Sequence, residues 1–262
     1  MTKLDFISDN DFLKHVSDTI SHYGERLKSY NLEKFNSNIV DPVKLVFDKS
    51  VYGCSWEEII RNEIYRQRDK AANNDIGYFH QGIFRYMNGC TVPTEGWDVI
   101  FTRKNGIDVP ECGRVSTIYV EMKNKHNTMN SASGAKTYMK MQGQLLKDDD
   151  CSCFLVEAIA KKSQNITWTV SIDGEQHKHR RIRRVSMDEF YAIVTGRKNS
   201  FYEMCMALPQ VIEEVMSSSA KEFVPKDTVY GEIQDIAKNR NIPFILALYM
   251  LGFGGYEGFP ML

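Results

Sequence analysis

Three charged side chains have the types and spacing to do chemistry: Asp98, Glu121 and Lys123. In Thr117-Ile118-Tyr119-Val120-Glu121-Met122-Lys123-Asn124-Lys125, the residues Tyr119, Glu121 and Lys123 alternate with Ile118, Val120 and Met122. A period of two sends these sets to opposite faces of a strand, so Glu121 and Lys123 project together. Upstream, Gly96-Trp97-Asp98-Val99-Ile100-Phe101 is a second β-rich run broken by one acid, 23 positions before Glu121. If the turn-rich Lys104-Asn105-Gly106 joins the two runs as neighbouring strands, the three charges converge. Two carboxylates can hold a hard divalent cation such as Mg²⁺. A lysine beside them can orient or deprotonate a metal-associated water. That constellation suits hydrolysis of a phosphodiester. The competing reading is a solvated strand face, which an acid and a Glu-x-Lys on amphipathic strands produce often.

Ser55 with Glu58 three places on is a capping box, so a helix starts here. Trp56, Ile59 and Ile60 define its apolar face, and Glu63 and Gln67 fall near the centre of that face. A carboxylate there is costly unless paired or bound to a cation, so Glu63 is either an outer member of the acidic site or a partner of a base such as Arg66. After Asn73-Asn74-Asp75 a second helix is expected over residues 76 to 84, carrying His80 and Gln81 as candidates for substrate contact. A histidine beside aromatics is more often a packed, hydrogen-bonded residue.

The strand of Glu121 runs into a loop dense in amide, hydroxyl and basic groups, with Asn124, Lys125, His126, Asn127, Asn130 and Ser131 as candidates for phosphate and base-edge contact. A polar surface turn is the alternative. Ala135 to Lys147 reads as a helix with Lys136, Lys140 and Lys147 facing outward, packed through Tyr138, Met141 and Leu145. Asp148-Asp149-Asp150 reads as a solvated turn without metal. Cys153 to Ala160 fits a buried central strand, and Ile166 to Ile172 followed by Asp173-Gly174 predicts a hairpin. Its returning arm has five Lys/Arg in the seven positions 178 to 184, and Arg180, Arg181, Arg183 and Arg184 suit phosphate oxygens and guanine edges. A solubilising edge strand is the alternative. Helices are expected over Asp9 to Tyr30, Pro42 to Lys49, Met187 to Gly196, Phe201 to Ser217, Thr228 to Asn239 and Pro243 to Leu251.

Composition bounds these readings. With 262 residues, 42% hydrophobic, the chain can bury a real core. The net charge of −1 alone says nothing for nucleic acid, but residues 103 to 147 and 161 to 198 are each +5 while residues 201 to 262 are −4. Basic blocks of this kind present a local footprint to phosphates. The six cysteines form no CxxC pair and have no histidine at zinc-ligand spacing, so reduced structural thiols are expected. The first residues carry no apolar signal-type segment, and the nine-residue apolar run at Pro243 to Leu251 is short of a membrane span. A cytoplasmic protein without membrane contact is the expectation.

Taken together, several strings resemble one family: the capped helix with Glu63, Asn74-x-Ile76-Gly77-x-Phe79-His80-Gln81, Gly96-Trp97-Asp98, Val120-Glu121-Met122-Lys123-Asn124-Lys125-His126-Asn127-Thr128-Met129-Asn130 and Asp188-Glu189-Phe190-Tyr191-x-x-x-Thr195-Gly196. They are similar to the type II restriction endonucleases that recognise GGNCC, within the PD-(D/E)xK nuclease superfamily. The resemblance spans roughly residues 55 to 215, and residues 121 to 127 are its most specific part. It implies Mg²⁺-dependent hydrolysis of double-stranded DNA at a near-palindromic site, leaving 5′-phosphates and 3′-hydroxyls. It also implies a homodimer, a bacterial cytoplasm and a methyltransferase that protects host DNA. By the resemblance, Asp98 and Glu121 are the metal-holding acids, Lys123 the motif lysine and Glu63 a looser match. Trp97 stands where the superfamily's name has proline.

The expected fold is α/β, a central mixed sheet of about five strands flanked by helices, the strand number implied by the superfamily. Residues 1–54 would form a helical lead-in, 55–200 the nuclease core, and 201–262 C-terminal helices packed on the core or at a dimer interface. Two other functions stay open: a repair or recombination nuclease directed by DNA structure, and a non-catalytic DNA-binding module.

Overall fold

The computed structural model describes residues 4–218, 225–257 and 259–262; residues 219–224, inside the expected C-terminal segment, lie outside them. Contacts divide the chain into two interleaved units, Met1–Ile20 with Asp75–Ala220 and Ser21–Asn74 with Lys221–Leu262. The strands are β1 (Cys90–Thr91), β2 (Val99–Val109), β3 (Gly113–Lys125), β4 (Cys151–Ile159), β5 (Asn165–Ile172) and β6 (Glu175–Ser186). The helices are α1 (Asp9–Arg26), α2 (Leu32–Asn36), α3 (Pro42–Tyr52), α4 (Trp56–Gly82), α5 (Ser131–Leu145), α6 (Met187–Thr195), α7 (Ser200–Ser218), α8 (Val229–Asn239) and α9 (Phe244–Phe253).

All six described strands join one mixed sheet in the first unit, ordered β1-β2-β3-β4-β6-β5. The α/β architecture is the one expected, with one strand more than anticipated. β4 pairs in parallel with β3 on one side and β6 on the other, and its first seven residues are buried. A near-continuous apolar run is what a strand covered on both faces requires. The alternation read at β3 holds as well. Ile118 and Val120 are buried on one face with Phe154, Val156 and Val185, beneath Phe190 of α6 and Met204 of α7. On the other face Cys153, Leu155 and Ile182 pack under Tyr138, Met141 and Leu145 of α5. The β5–β6 hairpin turns at Asp173 (φ 52°) and Gly174 (φ 85°), both left-handed as a two-residue hairpin turn requires.

Two expectations are corrected and one alternative is set aside. Residues 104–106 are not the turn between the two site strands. β2 continues through them with a register shift between Thr102 and Ile107, and the reversal comes at residues 110–112, where Glu111 (φ 65°) and Gly113 (φ 80°) bend the chain. The helix over residues 76–84 is not separate: α4 runs unbroken through Asn73-Asn74-Asp75. Asn73 hydrogen-bonds back to the carbonyl and carboxylate of Asp69 instead of capping a new start. Gly77 also serves this course, since a Cβ there would stand 3.1 Å from Asn124 Oδ1, at the end of β3. The basic arm is not an edge, because β6 lies between β4 and β5.

In the second unit, Phe35, Leu45, Ile59, Ile60 and Ile64 pack with Val229, Ile233 and Leu248. The Ser55–Glu58 capping box forms as read, with Ser55 N donating to Glu58 Oε2 at 2.8 Å and Glu58 N to Ser55 Oγ at 3.2 Å.

Gly89, just before β1, has φ +81°, and a Cβ on it would meet the Thr102 carbonyl oxygen of β2 at 2.6 Å. Neither obstacle can move cheaply, since one is backbone and the other is the residue's own conformation. Gly89→Ala is therefore expected to lower stability by about 2 kcal/mol, seen as a lower urea midpoint at unchanged slope. A wild-type midpoint would refute the backbone path given to β1 and β2.

Candidate active site

Asp98 immediately precedes β2 and is fastened to the backbone of β3 by two hydrogen bonds, one from its amide and one to its carboxylate. Its amide donates to the Val120 carbonyl at 3.0 Å, and its Oδ2 accepts from the Met122 amide at 2.6 Å. Val120 and Met122 flank Glu121, so Asp98 is tied on either side of the second acid. From the end of α4, Gln81 Nε2 donates to the Asp98 carbonyl at 3.2 Å and to Oδ1 at 3.3 Å.

Glu121 is gripped by two ammonium groups. Lys123 Nζ stands 2.9 Å from its Oε1 and Lys140 Nζ 2.7 Å from its Oε2. Lys140 also hydrogen-bonds the Gly96 carbonyl and lies 4.2 Å from the centroid of the Trp97 ring. The electrostatics follow. Burial raises the Asp98 carboxyl above its ordinary value, the Met122 amide opposes this, and the negative charge of Glu121 adds to it. Burial would raise Glu121 too, but the hydrogen bonds and charges of Lys140 and Lys123 outweigh it and hold its carboxyl low.

Among the described residues no group of three or more His, Cys, Asp or Glu is arranged to hold a metal ion. A two-carboxylate site needs less. Asp98 and Glu121 supply hard oxygen donors close enough for one charge to perturb the other, which fits a cation such as Mg²⁺ that keeps several of its waters. A cavity of about 780 Å³ elsewhere in the first unit, lined by Arg103, Thr117 and Arg197, shares none of these residues.

The other expected site residues are scattered. Glu63 lies in the second unit and is 4% exposed. Arg66 Nε bonds its Oε2 at 2.6 Å and Gln67 Nε2 its Oε1 at 3.2 Å, which is the paired arrangement foreseen as the alternative. His80 packs its ring edge-on to Phe79, 5.6 Å between centroids. Lys125 at the end of β3, Asn127 on the loop that follows and Ser131 at the start of α5 are exposed, and Arg180 is exposed on β6. Asn124 lies against Gly77. Asn130 caps α5, its Oδ1 accepting from Ser133 N at 2.8 Å. Arg181 donates to the Asp149 and Cys151 carbonyls. Arg183 is fully buried and bonds Asn165, Thr167 and Glu111. Arg184 bonds Glu157 Oε1 at 3.0 Å through Nε and the His126 carbonyl at 2.8 Å through Nη2.

Two residues of this neighbourhood escaped the sequence reading. Lys140 was expected to face outward, and its helical position does lie off the buried face of α5; only its long stem brings the ammonium back to Glu121. Glu157 stands directly across from Lys123 in the β3–β4 register, 1% exposed, with Oε2 lacking a partner among the described residues. An acid inside the apolar run at Cys153 to Ala160 was a signal for it, since a lone buried carboxylate needs a partner.

A family model described as Eco47II restriction endonuclease matches residues 4–217. The chain is 27% identical over 246 residues to the type II restriction enzyme Sau96I of Staphylococcus aureus, covering 91% of this chain and 90% of that protein. It is 29% identical over 228 residues to the type II restriction enzyme Eco47II of Escherichia coli, covering 83% and 90% respectively. No helix among the described residues is long and apolar enough to cross a membrane.

His80 gives this region a pH signature. Burial, with the nearby His15, lowers its imidazole from 6.5 to about 4. The unfolded chain then takes up this proton first, so the stability contributed by neutral His80 is present above pH 6.5 and is lost as the pH falls from there towards 4. The full loss is roughly 3 kcal/mol at 1.36 kcal/mol per unit. His80→Gln is expected to flatten that limb in urea unfolding measured from pH 7 to 4. Parallel wild-type and variant curves would refute the burial of a neutral ring.

Proposed function

Because this chain belongs to the Eco47II restriction endonuclease family, we propose that Asp98, Glu121 and Lys123 carry out its cleavage of double-stranded DNA. The chain is a type II site-specific deoxyribonuclease, and DNA is its substrate. A divalent metal is the cofactor the family implies, and Mg²⁺ is the ion the donor set suits. The observation that carries the assignment is Asp98 tied to the backbone on both sides of Glu121, with Lys123 on the Glu121 carboxylate.

Asp98 and Glu121 would hold the cation. When bound, it supplies Lewis acidity at the phosphoryl group and neutralises charge that develops on the reacting oxygens. Lys123, beside Glu121, orients the attacking water through its N–H donors. Water adds to phosphorus as the bond to the 3′ oxygen breaks, leaving a 5′-phosphate and a 3′-hydroxyl. Gln81, which grips both the carbonyl and the carboxylate of Asp98, keeps that acid in place.

The exposed Lys125, Asn127, Ser131 and Arg180 are the residues we assign to DNA contact, and the charge they bring gives salt-dependent affinity for the backbone. Arg183 and Arg184 support the sheet and the loop after β3 from within. The likeness of residues 121–127 to enzymes reading GGNCC makes that the site to test. Cutting both strands of a near-palindrome with one acidic pair per chain calls for two copies, hence a homodimer, working in a bacterial cytoplasm beside a methyltransferase of the same specificity.

The test is digestion of a plasmid of known sequence with Mg²⁺ and with EDTA. Discrete Mg²⁺-dependent fragments ending at GGNCC are expected, with Glu121→Ala retaining DNA binding and cutting about a thousandfold more slowly. Smearing would favour a structure-directed nuclease, and unchanged cleavage by the variant would overturn the site.

A further inference from the structure

Both carboxylate oxygens of Glu121 are occupied by ammonium groups, Oε1 by Lys123 and Oε2 by Lys140. The two lysines differ in their surroundings. Lys123 is a neighbour of Glu121 on β3, whereas Lys140 reaches in from α5 and joins three parts of the site. It touches Glu121, the Gly96 carbonyl and the Trp97 ring, and the last two lead directly into Asp98.

We propose that Lys140 competes with the divalent cation for Glu121, holding this carboxylate in the metal-free protein and giving it up when the metal binds. The inference rests on the reading of Asp98 and Glu121 as the metal-holding pair. An ammonium 2.7 Å from Oε2 stands where a cation bound to the same oxygen would approach. Two positive charges that close repel strongly at a half-buried site, so one gives way. The surroundings leave neither lysine stranded. Lys140 keeps the Gly96 carbonyl and the Trp97 ring, and its side chain is 37% exposed, with a path to water or to a DNA phosphate. Lys123 faces Glu157 across the β3–β4 register, where Oε2 has no partner among the described residues. A phosphate that takes over Lys140 lowers the cost of loading metal, so DNA and metal bind with positive coupling. Lys140 is a positioning residue in this account.

The experiment is Mn²⁺ binding to the full chain without DNA, followed by the electron paramagnetic resonance signal of free Mn²⁺. Lys140→Met is expected to bind on the order of tenfold more tightly than wild type, since a competing charge and its ion pair are gone. Lys140→Arg, which keeps the charge, is expected to stay near wild type. Lys140→Gln serves as a second neutral variant should the methionine disturb folding, and is expected to shift in the same direction. A merely structural Lys140 gives weaker or unchanged binding in both neutral variants, which would overturn the proposal. Glu121→Gln separates the two levels of the argument. If it removes the wild-type site while the neutral Lys140 variants do not tighten binding, the competition fails and the metal pair stands. If the wild-type chain binds no Mn²⁺ that Glu121→Gln removes, the metal pair and the competition fall together.

Discussion

The site depends on how Asp98 is bound to its neighbouring strand. Its amide gives a hydrogen bond to the Val120 carbonyl and its carboxylate takes one from the Met122 amide, at 3.0 and 2.6 Å. Glu121 is the residue between those two. The spacing of the acids is therefore set by the backbone ladder of a sheet and not by the rotamers of surface side chains. β3 in turn is fixed in parallel to the buried β4, whose own position is set by β6. A constellation on strands held in this way needs little reorganisation to act, which is the condition for electrostatic catalysis to be effective.

This rigidity has a cost that the surrounding groups distribute. Asp98 is buried enough that its ionised form is disfavoured, and the charge of Glu121 makes it worse. The Met122 amide, Gln81 and two lysines answer part of that cost. A second polar system lies beyond Lys123, where Glu157 and Arg184 link β4 and β6 to the backbone of His126 at the start of the following loop. Buried polar networks restrict the arrangements open to the groups they join, and in this one Glu157 keeps Oε2 without a partner among the described residues. Through the His126 carbonyl the network ties down the start of the loop that carries Asn127 and leads from Lys125 to Ser131.

Much of this was legible in the sequence because short-range physics writes it there. The period of two at residues 118–123 separated the core face from the site face. The unbroken apolar run from Cys153 named the central strand, Asp173-Gly174 the hairpin and Gly196 the left-handed end of α6. What was not legible depends on contacts distant in sequence. Residues 104–106 carry turn chemistry, yet pairing with β3 absorbs them as a bulge and Glu111 and Gly113 make the reversal. Asn73-Asn74-Asp75 carries stop chemistry, yet α4 passes through it because Asn73 bonds backward. The arginine-rich arm looks alike from 180 to 184, but the interior place of β6 buries Arg183 and leaves Arg180 outside. Lys140 could not have been found, since a helical wheel records direction and not reach.

The central claim is that Asp98 and Glu121 together hold the divalent cation that the family implies. The most direct measurement is a crystal soaked in Mn²⁺, with diffraction recorded at the manganese absorption edge. The account predicts an anomalous peak shared by the Asp98 and Glu121 carboxylates, with Lys140 withdrawn from Glu121. A peak confined to other acids such as Asp148-Asp149-Asp150, with none at this pair, would contradict it.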